Sequence, residues 1–444
     1  MAVVPAPTAA RSADSHLPDK HRDGLGLCLS GGGYRAALFH LGGLRRLNEL
    51  GLLTRTTTIS SVSGGSIIAA VLATHVNWDE AEPGEPLKEW DIVSAAVRSL
   101  CRRNIRLRPG LWELVTTVLS LPSQLPFARR LFHGLPSVPV LCDLGVRSFE
   151  RAYKKHISEA ELNALPAGPR FVFCATDMVF GVNWVFDSRP SAGGIGRVGD
   201  WQAGYVSPFP AWPVARAVAC SACFPPVFSP RLIGLDPDAY QGGDYWGVFG
   251  RSDRDRLLRG IKLSDGGVYD NLALEPVWKD HQTVLCSDGG ATFDPSLDVG
   301  FPKRISRFPS IVERGSRATR KRWLIANFDK EIMHGAYWSV GSASERYGID
   351  NGGYSKTLAS RYIAKIRTDL DTFSEPEIAI LENHGYLLAD AACRAHLQPQ
   401  LPTPLPQPAP PHPTFLNAAA VTTLLAKSNK RKLLGRGWFG GLLR

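Results

Sequence analysis

The stretch from Gly24 to Leu72 constrains the fold more than any other. It reads GLGLCLSGGGYRAALFHLGGLRRLNELGLLTRTTTISSVSGGSIIAAVL. Two short apolar runs each close in a glycine-rich turn that opens into helix-forming sequence. The turns are Ser30-Gly31-Gly32-Gly33-Tyr34-Arg35 and Ser61-Val62-Ser63-Gly64-Gly65. The β-branched run Thr56 to Val62 predicts a buried strand, and small, apolar Ser66 to Leu72 predicts a buried helix. A strand that turns straight into a helix strains its turn residue and needs small neighbours. The pattern small-x-Ser-x-Gly meets that need and presents the Ser63 hydroxyl at a helix N-terminus. Ser61 stands at the position usually held by glycine and tolerates fewer backbone angles.

Three successive glycines in the first turn let the backbone approach a ligand and leave N–H groups pointing outward. The helix that follows, with Ala36, Ala37, Leu38, Leu41, Leu44 and Leu47 on its apolar side, adds its positive end. Gly31, Gly32 and Gly33 therefore read as an oxyanion hole and Ser63 as a nucleophile. Arg35 either steadies the loop or faces an anionic substrate. The plainer reading is a phosphate-binding loop or a tight turn. No Gly-Lys-Ser/Thr follows, however, and the Gly24, Gly26 pair lacks the third glycine of a dinucleotide fingerprint. One strand–helix–strand unit separates the two turns, which predicts both at the end of a parallel sheet.

A third motif lies far downstream, Lys262-Leu263-Ser264-Asp265-Gly266-Gly267-Val268-Tyr269-Asp270-Asn271-Leu272. With it the chain resembles the patatin-like phospholipase family over roughly Gly24 to Ala291. The resemblance implies that Gly31, Gly32 and Gly33 form the oxyanion loop, that Ser63 is the nucleophile and that Asp265 is its partner in a Ser–Asp dyad. Cys174 to Asp177 and Ser221 to Phe228 look like family segments that shape the sheet and pocket. The departures are Ser61 for Gly, Ser30 for the common Asp, and Ala36 for the common Gly. Ser-Gly-Gly-Gly-x-Arg-Ala is similar to the cytosolic phospholipase A branch. The implied fold is a three-layer α/β/α with a central, mostly parallel sheet, a helical insertion and a helical C-terminal part. The implied activity is a lipid acyl hydrolase of phospholipase A or lysophospholipase type, working through an acyl-enzyme with no metal or cofactor. A second Asp-Gly-Gly begins at Asp288. The Asn271-Leu272 context favours Asp265 and leaves Asp288 to close a sheet edge. A Ser–Asp–His esterase drawing on His281, His384 or His396 stays open, although none of them stands in a motif; His40 reads as a packed core imidazole. The same motifs also admit a transacylase or a non-enzymatic lipid-binding regulatory module.

The sequence divides into a disordered 1–22, an acyl hydrolase domain over 23–300 with a helical cap at 79–145, a helical part over 301–397, and a Pro-rich linker with a basic amphipathic tail over 398–444. A net charge of +10 calls for anionic partners. Without a nucleic-acid motif, the expected partners are a phospholipid or other lipid ester substrate and an anionic membrane, not nucleic acid. The N-terminal stretch lacks the pattern of a signal peptide, and no run reaches the ~18–20 apolar residues of a membrane span. The eight cysteines sit mostly in apolar runs, and Cys220-Ser-Ala-Cys223 has no second pair beside it. They read as core thiols of a protein in reducing cytosol, peripheral at the membrane.

Arg98, Arg102, Arg103, Arg106 and Arg108, with Leu111–Leu119 and Phe127–Phe132, suit either a membrane-facing cap or a helical insertion with solvated arginines. Arg170 to Thr176 predicts a strand that Asn183 to Phe186 continues as a hairpin, and Gln282 to Cys286 predicts another. Trp201 to Pro213 either walls an acyl pocket or packs on its own aromatics. Pro302 to Trp323 carries Lys303, Arg304, Arg307, Arg314, Arg317, Arg320, Lys321 and Arg322. It begins helical structure expected to run on through Ile332, Tyr337 and Arg361–Ile366, its charged face either solvated or docked on anionic membrane. Leu424 to Arg444 mixes basic and aromatic residues, as in a reversible membrane tail or a disordered one.

Overall fold

Alternate residues of the first apolar run serve two different cores. In β1 (Leu25–Leu29), Leu25, Leu27 and Leu29 join one buried cluster while Cys28 joins another. Strand period two demands this when both faces of a sheet are covered. The same split recurs in β3 (Arg170–Asp177), where Phe171, Phe173 and Ala175 face one way and Val172 and Cys174 the other. The architecture is thus α/β/α. The computed structural model describes residues 22–428 apart from 108, 111–142, 167, 189–196, 226–227, 245–249, 294, 296 and 298–300.

The remaining strands are β2 (Thr56–Ser61), β4 (Asn183–Asp187), β5 (Arg197–Asp200), β6 (Gly204–Val206), β7 (Arg231–Leu232), β8 (Tyr240–Gln241), β9 (Lys262–Asp265), β10 (Thr283–Asp288) and β11 (His334–Ser339). The core order β11-β10-β1-β2-β3 is parallel throughout, and β3-β4-β5-β6-β8 extends it as an antiparallel flank. The expected hairpin of β3 and β4 is present. Two strands leave this path, β7 pairing antiparallel with β9. β9 runs antiparallel to β3, pairing Asp265 with Ala175, while β2 pairs Ser61 with Phe173 on the same edge.

The helices are α1 (Gly33–Glu49), α2 (Gly64–His75), α3 (Trp90–Cys101), α4 (Leu144–His156), α5 (Val214–Ser221), α6 (Arg251–Arg259), α7 (Gly267–Asp270), α8 (Phe301–Asp329), α9 (Lys356–Arg361), α10 (Glu375–His396) and α11 (Ala418–Ser428). α1 and α10 cross so closely that a Cβ on Gly42 would lie 1.9 Å from Glu382 O, and one on Gly385 would lie 1.9 Å from Phe39 O. α8 and the segment around Leu272–Val277 cover the other face of the sheet.

Three expectations need correction. Residues 301–397 are not a helical part set beside the domain. Tyr337 lies in β11, which pairs with β10 from His334 to Ser339 and completes the parallel sheet. It escaped notice because HGAYWS is short and bears glycine and histidine at its start. The Pro-rich stretch is a strap held on the surface, not a linker. Arg46 Nη2 donates to Pro406 O at 2.5 Å, Ala409 N–H to the Tyr386 hydroxyl at 2.8 Å, and Asn383 Nδ2 to His412 O at 2.7 Å. The basic cluster does not face outward as a unit. Arg98 pairs with Glu382 and Arg102 with Glu375, each at 2.5 Å, and Arg106 pairs with Asp369. These arginines fasten the insertion to α10 and the loop before it. Arg108, Leu111–Leu119, Phe127–Phe132, nearly all of the N-terminal 1–22 and the tail beyond 428 lie outside the described residues.

Candidate active site

The meeting of β2 and β9 builds the site. Both strands end on one edge of β3, their C-terminal residues Ser61 and Asp265 facing positions two apart. Two residues of strand span roughly 7 Å, so the turn after Ser61 must come against Asp265. There the Ser63 hydroxyl comes within electrostatic reach of the Asp265 carboxyl and lowers its proton affinity. Ser63 takes φ 51° and ψ −114° as the N-cap of α2. That conformation is costly for a residue with a Cβ and is held by its surroundings. Its N–H donates to Ser221 Oγ at 2.9 Å, and Ser221 Oγ in turn donates to Cys174 O at 2.7 Å. Ser66 Oγ also meets Ser221 Oγ at 2.9 Å, and Gly266 N–H donates to Ser221 O at 3.3 Å. Ser221, at the end of α5, therefore ties the serine turn to β3 and to the Asp265 loop.

Ser61 proves well suited to its place. It needs no left-handed angle, and its hydroxyl bonds Val172 O at 3.3 Å and receives Ser66 Oγ at 3.1 Å. Ser30 likewise accepts Gly289 N–H at 2.8 Å, linking the first turn to the loop after β10.

Asp265 is 2% exposed and Ser63 8%. Burial pushes the Asp265 carboxyl up to about 7, against the pull of the Gly267 N–H and the Ser63 hydroxyl; the Glu313 carboxylate adds to the rise. Gly267 N–H donates to Oδ1 at 2.7 Å. A carboxylate in that range is a competent proton acceptor near neutrality, which an ordinary aspartate is not.

The glycine turn lies against the serine turn. A Cβ on Gly31 would sit 3.2 Å from Ser63 Cβ, and one on Gly64 would sit 2.1 Å from Gly33 O. Gly32 and Gly33 hold φ 142° and 58°, angles that admit glycine readily. Their N–H groups meet no acceptor among the described residues, whereas Gly31 N–H donates to Asn271 O at 3.1 Å. Gly32 and Gly33 thus remain open as oxyanion donors, and Gly31 serves as the hinge between this loop and the Asp265 loop. The N–H of Gly64, next to Ser63 at the start of α2, is also open.

Arg35 does not face a substrate. It is 2% exposed, and its guanidinium donates to Gly289 O at 2.9 and 3.2 Å, to Ala364 O at 3.0 Å and to Ile366 O at 2.9 Å. Burial lowers it to about 10. It clamps the start of α1 to both neighbouring loops. Asp288 ends an inner strand, flanked by β1 and β11, and so closes no sheet edge. It accepts from Tyr337 Oη at 2.7 Å and Gly290 N–H at 2.9 Å. Burial would raise it, but Arg317 and these donors outweigh that and hold it below the ordinary carboxylate range.

Histidines are committed elsewhere. His40 bridges Ser287 Oγ at 2.7 Å and Ser30 O at 2.9 Å, and burial lowers it to about 4. His281 bonds Val277 O, His384 bonds Val340 O, and His396 packs edge-on to Tyr347. Among the described residues no histidine reaches Ser63 or Asp265. Trp212, from the segment read as a pocket wall, packs on Phe186 and Arg216 instead. The seven cysteines described, Cys220 and Cys223 among them, are all free and buried.

A family model, Patatin-like phospholipase, matches residues 27–278. The chain belongs to the patatin-like phospholipase family. That match contains Ser63 and Asp265 and makes the chain a lipid ester hydrolase at the level of its family. Among solved structures, human GIVD cytosolic phospholipase A2 is similar at 12% identity and TM-score 0.41, covering 92% of this chain and 63% of that one. VipD from Legionella pneumophila is similar at 14% identity and TM-score 0.30, covering 85% of this chain and 68% of that one. The chain therefore spans about two thirds of the length of either protein. Two residues at this patatin-like site were not picked out from sequence. Ser221 lay inside a segment read only as shaping the pocket. Glu313, which accepts Asn271 Nδ2 at 3.3 Å, had one visible signal: it is the lone acid among the cations of Pro302 to Trp323.

Proposed function

We propose that the protein cleaves carboxylic esters of lipids, of phospholipase A or lysophospholipase type, through a Ser63–Asp265 dyad. Ser63 Oγ attacks the ester carbonyl as Asp265 takes its proton. The tetrahedral oxyanion is received by the N–H groups of Gly32 and Gly33, with Gly64 beside them. Collapse returns the proton to the leaving alcohol and leaves an acyl-serine. Water, deprotonated by Asp265, then releases the fatty acid. The observation that carries this reading is the meeting of the Ser63 turn with a buried carboxyl: β2 and β9 end two positions apart on one edge of β3, and burial lifts Asp265 there to about 7. The positive net charge favours a substrate presented at an anionic membrane surface.

The test is fatty-acid release from mixed phospholipid vesicles, followed by mass spectrometry. Ser63→Ala and Asp265→Asn are each expected to lower kcat by roughly 10⁴-fold or more, because members of such a unit fail together. Full activity in both variants rejects the dyad. A transacylase outcome would appear as acyl transfer to an added alcohol in place of free acid.

A further inference from the structure

α8 has two faces of opposite character. Its inner face grips the catalytic loops. Glu313 accepts from Asn271, Ser316 Oγ donates to Tyr269 O at 3.4 Å, Arg317 donates to Ala291 O, and Arg320 lies 3.4 Å from Asp270. Its outer face carries Phe308, Ile311 and Val312, exposed at 64%, 47% and 70%. Their spacing of three and one sets them on a single stripe. Large apolar side chains rarely stand together on a soluble surface without a purpose.

The charges beside that stripe decide what it meets. Arg307 and Arg314 both lie over the Phe293 ring, 3.9 and 4.4 Å from its centroid, which gathers two guanidinium groups at one place. Arg314 and Arg322 are exposed. The helix holds eight cations and two carboxylates, of which Glu313 is turned inward and Asp329 ends the helix. Rings and aliphatic groups framed by arginine suit the boundary between headgroups and acyl chains. The neighbourhood of Asp265 bears further exposed apolar groups: Phe224, next to Cys223 whose carbonyl receives Asp265 N–H, and Val268, three residues past Asp265, at 53% and 40%.

We propose that the outer face of α8 is the surface on which the protein docks to a bilayer bearing anionic phospholipid. This rests on the lipid-hydrolase reading, since α8 contacts the loop that follows Asp265 and would hold the enzyme beside its lipid substrate. Phe308, Ile311 and Val312 enter the interface, and the arginines meet phosphate headgroups.

The experiment is co-sedimentation of the full chain with phosphatidylcholine vesicles, with and without phosphatidylglycerol. The parent is expected to sediment only with the anionic vesicles and to be released by salt. Phe308→Ser/Ile311→Ser/Val312→Ser is expected to lose about tenfold or more in partitioning, and Arg314→Glu/Arg322→Glu a similar amount. Turnover of a soluble short-chain ester should stay within about twofold of the parent, as for surface changes that leave the fold alone. Equal sedimentation of parent and variants overturns the proposal, as does a parent that ignores both vesicles. A parent dimer that the triple variant converts to monomer also overturns it, because the stripe is then covered by a second copy. Docking that depends on the stripe, with no ester cleaved by the parent, rejects the hydrolase and leaves the surface standing.

Discussion

A single carboxyl sets both the chemistry and its cost. Asp265 must be ionised to accept the Ser63 proton, and burial raises it from 3.8 to about 7. Activity is therefore expected to rise with pH through about 7, following one ionisation in kcat/KM. Stability moves the other way. The native state holds this proton more tightly than the unfolded chain does. The favourable contribution is complete below the ordinary value of 3.8 and is lost as pH climbs through about 7. Once the carboxylate is charged, the loss is on the order of 4 kcal/mol. Asp265→Asn should then melt like the parent in acid and above it at pH beyond 7, while being inactive. Thermal denaturation of both proteins across pH checks this; parallel curves would mean that Asp265 titrates as an ordinary surface carboxylate. The same residue shows what sequence can convey. Its Asp-Gly-Gly was visible twice, at Asp265 and Asp288. Beyond the Asn271-Leu272 context, the competing copy is set apart by Tyr337 and Arg317, which hold Asp288 from segments some thirty to fifty positions away. Gly31 was read as an oxyanion donor, and the carbonyl that engages it belongs to Asn271, which no spacing rule connects to it.

At the scale of elements, the parallel core was legible because each strand is an apolar run closed by a turn, and alternation put both faces to use. Besides the short flank strands β5 to β8, the strands that escaped are β9 and β11. β9 is four residues, KLSD, with a period too short to register. β11 gains its strand character from β10 alongside it. Their pairing is decided by tertiary contact, which local preference cannot supply. The crossing of α1 and α10 is a middle case. Gly42-Gly43 and Gly385 are poor helix formers, and their presence inside long helices already marks a close approach. Gly385→Ala would drive a methyl group to within 1.9 Å of Phe39 O. The helices must separate, and stability should fall by about 1–3 kcal/mol or more. Gly315→Ala is the matched control, with nothing within 4 Å of the added carbon in α8. It should leave stability unchanged or raise it by up to about 1 kcal/mol. Melting temperatures of the two variants decide the matter, and an unaffected Gly385→Ala would mean the helices cross less tightly.

For the whole molecule, the division at residue 300 cuts through one cooperative body. β10 has β1 on one side and β11 on the other, so removing everything after 300 bares a buried strand along Thr283–Asp288. α1 would lose α10 from its face, and Arg46 its buried partner Asp390 at 2.8 Å. The oxyanion loop would lose more. Tyr34 N–H donates to Asp369 O at 2.9 Å, and Arg35 reaches Ala364 and Ile366 from the same distant segment. An uncompensated buried cation costs several kcal/mol, comparable with the net stability of a whole domain. A chain ending at Gly300 is therefore expected to be aggregated or molten, with no sharp thermal transition, although it contains Ser63, Asp265 and every glycine of the two turns. The full chain should melt once, with tryptophan fluorescence and far-UV circular dichroism coincident, since Trp338 of β11 and Trp184 of β4 report from opposite wings of one sheet. Two separate transitions, or a folded and active fragment ending at residue 300, would restore the boundary. It would also mean that the C-terminal segment does not hold the oxyanion loop in shape.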